Sequence, residues 1–250
     1  MIKPGSRLAT VAAHVPPDAR LGDVGTDHAL LPIYLARRGV IRSAIGTDVR
    51  PGPLGAGRRN VERWGLSSRI ALRLGDGLMP IRRGEADVVT IAGMGGGLML
   101  EILDPAREAL AGTHTLVLQP QSGAGPLRRT MAARGWRLAA EELTAENGRI
   151  YTIMRWERGP GTDDGEARAA PDWAAGRRCP EVWAEYGPLL PAAAGPLFHR
   201  VLRDEIDRTR RAAVRLEKAG RAPAAPERLA ELRRRINDWE EMEKWLASEN

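Results

Sequence analysis

"GDVGTDHALLPIYLARRG", residues 22–39, orients the reading of the whole chain. An apolar run from Ala19 to Val24 reads as a strand, ends at Gly25, and gives way to a helix expected to open at His28. A dinucleotide-binding fold places G-x-G-x-x-G at such a junction. Here the second and third glycines are absent, and Thr26, Asp27 and His28 fill the turn. The ligand of this turn has to suit an acid, Asp23, before the glycine, and an acid beside a histidine after it.

The same rhythm extends outward from the turn. A first amphipathic helix carries Leu8, Val11, Ala12 and Val15 on one face, and short apolar runs recur at "RLGDV", "SAIGTDV", "RIALRL", "ADVVTIA" and "HTLVLQ". Helix-like sequence or a glycine turn separates each run from the next, which is the β-α-β alternation of a parallel sheet covered on both faces. The alternation then stops. "GWRLAAEELTAENGRIYTIMRWE" holds two strand-like runs joined by Glu146-Asn147-Gly148, and Asn-Gly is a strong hairpin signal. Five parallel strands closed by an antiparallel hairpin differ from the all-parallel nicotinamide-binding sheet. The arrangement resembles the Rossmann-like α/β domain of class I S-adenosylmethionine-dependent methyltransferases.

Composition bounds the remaining possibilities. At 250 residues and 43% hydrophobic, the chain suffices for one large domain, or for one domain with an appendage. Its single cysteine, Cys179, cannot form an internal disulfide. No apolar run reaches membrane-spanning length and the first ten residues lack an apolar signal core, so a soluble, cytoplasmic protein with no membrane partner is expected, and separately a monomer. No His/Cys cluster has metal-ligand spacing, and no metal is expected. The formal charge is +6, and all but Lys3, Lys218 and Lys244 of the 38 basic residues are arginine. Guanidinium forks suit phosphate, although such usage also follows from a biased genome. Residues 1–157 hold 21 basic against 15 acidic residues, whereas 158–196 hold 4 against 6 and 197–250 hold 13 against 11. The positive excess accompanies the glycine turn and favours an anionic macromolecular substrate.

Three segments follow from the pattern. Residues 1–157 form the expected methyltransferase domain. Residues 158–196, with Gly-Pro, Asp-Asp-Gly and "LLPAAAGP", read as a linker that partly packs. In 197–250, Phe198, Leu202, Ile206, Thr209, Ala213 and Leu216, then Leu229, Leu232, Ile236, Trp239, Met242 and Leu246, recur at intervals of three and four. The proline-bearing break between them predicts an antiparallel helical coiled-coil hairpin, with nearly balanced charge on its solvated faces.

Acids and glycines fall at the strand ends. Asp23 and Gly25 close the first strand, where methyltransferases open their cofactor site; the glycine admits the ligand and the acid meets its positive end. Asp48, at the end of the second strand, is placed to take both ribose hydroxyls. Asp76-Gly77 follows the third strand and would meet the adenine amine, although a tight turn also favours Asp and Gly. "IAGMGGGL", residues 91–98, follows the fourth, and so much glycine is retained where a ligand passes close to the main chain. Thr26, Val49, Gly93, Met94 and Gly95 are grouped with these cofactor positions. A surface cap for the following turn is the lesser alternative for Asp48 once the glycine turn is in place, and Asp23-Val-Gly25 would also serve an ordinary strand-to-helix turn.

"RLATVAAHV", "GDVGTDHALLPIYL", "GDGL", "IAGMGGGL", "LVLQPQ", "EELTAENGRIYTI" and "YGPLL", in this order, resemble the bacterial tRNA adenine-N1 methyltransferases that act on the adenine at position 22. The likeness is dense over residues 6–157 and looser beyond. It implies S-adenosylmethionine as methyl donor and tRNA as substrate. One residue departs from the family pattern: Gln121 follows Gln119-Pro120 where asparagine is usual. Adenine N1 already carries a lone pair, so the site has to align the base and handle the positive charge of the methylated ring. Asp27 and His28 are the catalytic candidates, with a helix cap at Asp27 and local packing of His28 as the alternative. Arg7, Arg128, Arg129 and Arg149 are candidates for phosphate, and Gln119, Pro120 and Tyr151 for the substrate base. Another RNA or a small molecule is the alternative substrate, and a non-catalytic RNA-binding module or a nicotinamide-dependent oxidoreductase the alternative class.

Overall fold

The computed structural model describes residues 5–158, a few positions between 185 and 190, and the helices within 195–248. The chain divides into two compact units, Met1–Pro171 and Asp172–Asn250. The expected linker, 158–196, falls almost wholly outside the described residues, as does Cys179.

The first unit is a seven-stranded sheet in the order β3-β2-β1-β4-β5-β7-β6. Its parallel part comprises β1 (Ala19–Val24), β2 (Ile41–Asp48), β3 (Ile70–Leu74), β4 (Val88–Gly95) and β5 (Thr115–Ser122). β6 (Arg137–Glu146) and β7 (Arg149–Glu157) form the expected hairpin, and β7 enters antiparallel beside β5. Asn147 and Gly148 both lie in the left-handed region, at φ 50° and 76°, as a two-residue hairpin turn of that hand requires. The strand order reverses between β1 and β4, and a doubly wound sheet opens its ligand crevice at such a switch point.

Helices cover both faces: α1 (Ser6–Ala13), α2 (Leu30–Arg37), α3 (Pro51–Arg63), α4 (Gly96–Leu103), α5 (Arg107–Leu110) and α6 (Ala124–Ala133). Val11, Val15, Leu31, Ile33, Leu35 and Val61 bury one face of the sheet against Leu21, Ile41 and Ile70. α3 starts on Pro51, whose missing N–H costs nothing in a first turn. α2 starts differently. It opens at Leu30, two residues later than expected, after Asp27 at φ 52° and Ala29 at φ 58°. His28 therefore belongs to the turn.

In the second unit, α7 (Gly195–Ala219) and α8 (Ala225–Ser248) pack as an antiparallel pair. Phe198, Leu202, Ile206, Thr209 and Ala213 of α7 and Leu232, Trp239 and Met242 of α8 are buried, whereas Leu216, Leu229 and Ile236 are half-buried. The side chain of Leu246 lies outside the described residues. Ion pairs Arg203–Glu243, Arg210–Glu240 and Arg233–Glu217 cross from helix to helix in antiparallel register. No described helix is long and apolar enough to cross a membrane.

Candidate active site

The turn after β1 is built around a carboxylate that has been taken out of water. Asp23 is only 5% exposed; Thr90 Oγ1 donates to its Oδ1 at 2.6 Å, and no ion pair holds it among the described residues. Burial pushes its pKa up to about 6, against the opposing hydrogen bond from Thr90 and the proximity of the Thr26 hydroxyl. That hydroxyl is buried beside the carboxylate without a well-formed hydrogen bond. Gly25, at φ 68°, completes the turn; its left-handed backbone is what asks for glycine, and the terminal methyl of Met94 reaches over it.

Asp48 fixes the next part. Its side chain is 3% exposed; Oδ2 accepts the Asp27 N–H at 3.2 Å and Oδ1 the Arg50 N–H at 2.9 Å, with Arg50 Nε 3.4 Å away. A carboxylate has about four acceptor sites, so capacity for hydroxyl donors remains. The turn-capping role and a ligand role are thus compatible. Asp76 is exposed beside buried Gly77, whose carbonyl accepts Thr47 Oγ1 at 2.7 Å. Val49, Leu74 and Met79 expose 58%, 54% and 69% of their surface around this end of the sheet. Such large exposed aliphatic groups on strand ends offer an apolar seat for a flat ring. Leu74 and Met79 were not singled out from the sequence; a leucine at a strand end beside an Asp-Gly turn was the available signal.

Asp27 and His28 are both about half exposed, at 53% and 49%. His28 Nε2 lies 3.8 Å and Arg50 Nη2 3.9 Å from Asp27 Oδ1. The Asp27 side chain caps nothing: the N-cap of α2 is Ala29, with no side-chain cap bond. The left-handed turn is held from outside, by Asp48 on the Asp27 N–H and by Asn60 Nδ2 on the His28 carbonyl at 3.1 Å.

Beyond β4 a second cluster gathers. Gln119, fully buried, accepts Arg7 Nη1 at 2.8 Å and the Gly93 N–H at 3.1 Å on one oxygen. Arg7 also faces Glu146 at 3.8 Å and lies over the Tyr151 ring at 5.7 Å. Pro120 is buried, Gly95 half-buried, and exposed Gln121 has Nε2 3.7 Å from where a Cβ of Gly93 would sit. Arg7, Gln119, Pro120, Gly93 and Tyr151 are thus brought together, and Glu146, not foreseen from the sequence, anchors them. Arg129 and Arg149 are exposed. Arg128 is a correction: its side chain is 1% exposed and pairs with fully buried Glu141 at 2.6 Å, so a phosphate cannot reach it.

A sheet in this order, with acid and glycine turns at the carboxyl ends of β1 to β4, defines the class I methyltransferase domain, and the family model described as a methyltransferase domain matches residues 5–154. In sequence the chain is 39% identical over 158 residues to the tRNA (adenine(22)-N(1))-methyltransferase of Bacillus subtilis, covering 63% of this chain and 66% of that enzyme. It spans 60% of a putative tRNA methyltransferase of Mycoplasma pneumoniae, at 30% identity over 53% of this chain. In structure it matches the B. subtilis m1A22 tRNA methyltransferase TrmK with a TM-score of 0.85 and 32% identity, over 96% of this chain and 99% of that one. Streptococcus pneumoniae Sp1610, described as a putative tRNA (m1A22) methyltransferase in complex with S-adenosyl-L-methionine, matches with a TM-score of 0.75 and 33% identity over 96% and 99%. The chain belongs to the family of these tRNA adenine-N1 methyltransferases.

Proposed function

We propose that this chain transfers a methyl group from S-adenosylmethionine to N1 of an adenine in tRNA, the adenine at position 22. One observation carries the cofactor half of this reading. Asp23 is a buried acid that meets the Thr90 hydroxyl but no cation among the described residues, and beside it Thr26 is a buried hydroxyl without a well-formed hydrogen bond, in a chain that aligns throughout with a TrmK structure. These residues fit the group: Asp23 and Thr26 would take its positive end, Gly25 its close approach, Asp48 its ribose hydroxyls, and Asp76 with Val49, Leu74 and Met79 its adenine. When bound, the cofactor supplies an electrophilic methyl on a sulfonium.

The residues of the chain then have three tasks. The target N1 is an unprotonated ring nitrogen, so no general base is required. Turning the base out of its stack costs a few kcal/mol, which backbone contacts from exposed arginines such as Arg129 and Arg149 offset. Asp27, half exposed and uncommitted to the helix, offsets the positive charge that the ring gains on methylation. The protein works as a monomer in the cytoplasm on this reading, with residues 197–250 as a separate helical domain.

The test is methylation with labelled donor of a tRNA bearing adenine at position 22, beside the same tRNA with guanine there and ribosomal RNA, followed by nucleoside analysis. Label recovered as 1-methyladenosine from the first alone is the expected result. Label in ribosomal RNA, or in another nucleoside, overturns the substrate assignment.

A further inference from the structure

β4 pairs with β5 as Ala92 with Gln119 and then as Met94 with Pro120, so Gly93 is left out of register. It sits at φ 80°, and its N–H is drawn to the Gln119 side chain. The same Gln119 oxygen is gripped by Arg7 Nη1, while Gln119 Nε2 is spent on the Pro120 carbonyl at 3.0 Å. Arg7 itself is 28% exposed, with its Nε toward Glu146 and its plane over Tyr151. Two of its three nitrogens therefore face protein groups.

The direction of one carbonyl follows. Every described peptide bond is trans, so the Ala92 C=O lies opposite the Gly93 N–H of the same planar unit. The N–H points to β5; the carbonyl points to the β1 side. Pairing between β1 and β4 ends at Val24 with Ile91, so no strand residue stands opposite Ala92. Beyond that last pair β1 turns away at Gly25, over which the Met94 side chain reaches.

The segment that lines this strand end, "IAGMGGGL", has no polar side chain. Any hydrogen-bond discrimination that the segment itself supplies has to come from its main chain. Adenine carries an amino donor beside N1, whereas guanine carries an oxygen beside an N1–H. We propose that the Ala92 carbonyl accepts a hydrogen bond from the 6-amino group of the target adenine, and that Gln119 and Arg7 are positioning residues that aim it. This inference rests on the adenine-N1 reading above. It gives the site a reason to select adenine without any side-chain acceptor on the β4 loop.

The test compares two tRNAs, one with adenosine at the target position and one with purine riboside, which lacks the 6-amino group. The full-length wild type, Gln119→Met, Gln119→Glu and Arg7→Met are each assayed for kcat/KM on both. Loss of the amino group lowers ring basicity equally for every enzyme, so the informative quantity is the ratio of the two penalties. A neutral hydrogen bond corresponds to a factor of about 2 to 12. The wild-type penalty is expected to shrink by that factor in Gln119→Met and Arg7→Met and to persist in Gln119→Glu, whose oxygens still accept both donors. Should Gln119→Met not fold, Arg7→Met at its half-exposed position reads the same ratio. An equal penalty in all four enzymes overturns the inference. Failure of the wild type to methylate adenosine tRNA is a different result and overturns the function reading instead.

Discussion

Replacing Arg128 by methionine separates a structural arginine from a phosphate-binding one. Its guanidinium reaches across from α6 to Glu141 on β6 at 2.6 Å, with 1% and 0% of the two side chains exposed. Removing it leaves a buried carboxylate without its cation, and breaking a buried pair in this way costs about 3–5 kcal/mol. A domain has about 5–15 kcal/mol to lose. With a urea m-value of about 2 kcal/mol/M, the unfolding midpoint should fall by about 1.5–2.5 M at unchanged m. Arg128→Met combined with Glu141→Leu should recover most of the loss, because an apolar replacement of a buried pair is often neutral. In neither variant should the salt dependence of tRNA binding change. Arg129→Ala is the contrast: it sits one position on and is exposed, and its log-log salt slope should flatten by about 0.7 to 0.9 if it neutralises one phosphate. A stable Arg128→Met protein with a flattened slope would refute the buried-pair argument.

The Asp23 carboxyl is held at about 6 against an ordinary 3.8, so the native state keeps a proton that the unfolded chain releases between those values. Its contribution to stability is full below about pH 4 and is lost as pH rises to about 6, roughly 3 kcal/mol in all. Thermal melts of the free protein across that window should show this slope in the wild type and not in Asp23→Asn; a slope that survives the substitution assigns it elsewhere. Because a cationic ligand prefers the ionised acid, calorimetric affinity for S-adenosylmethionine should fall by up to tenfold per pH unit below about 6. Asp27→Asn should slow single-turnover methylation while melting and tRNA affinity stay near wild type, since asparagine accepts the left-handed conformation and no cap bond is lost. A normal rate with lower melting would make Asp27 a structural residue.

Much of this was legible because period carries fold. Alternating apolar runs place β1 to β5, and Asn147-Gly148 fixes the hairpin, since both positions need a backbone that few other residues supply. The start of α2 was not legible. Ala29 adopts a left-handed conformation that costs an L-residue about 1–2 kcal/mol, which local propensity argues against. Tertiary contacts override it: its methyl is fully buried, Asp48 holds the Asp27 N–H, and Asn60 holds the His28 carbonyl. Arg128 and Arg129 are adjacent and look alike in sequence, yet a helix turns them to opposite environments. A signal did exist: Glu141 shares its strand face with Leu143, and a glutamate on a buried face calls for a cation.

The polar groups of the crevice fall into two kinds, and the division explains how a small turn can be both stiff and receptive. Gln119 and Asp48 are buried and already bonded to backbone N–H groups, so they set the positions of the Gly93 bulge and the Thr26-to-Ala29 turn before any ligand arrives. Among the described residues Asp23 has the Thr90 hydroxyl but no cation, and the Thr26 hydroxyl makes no well-formed hydrogen bond. Groups of the first kind spare the ligand the entropy of ordering the loop. Those of the second kind destabilise the free protein, because a buried unsatisfied polar atom costs about 1–3 kcal/mol, and that energy is returned when a complementary charge or donor enters. A substitution that satisfies the second kind without a ligand should therefore raise stability and lower affinity together, whereas loss of the first kind should lower both.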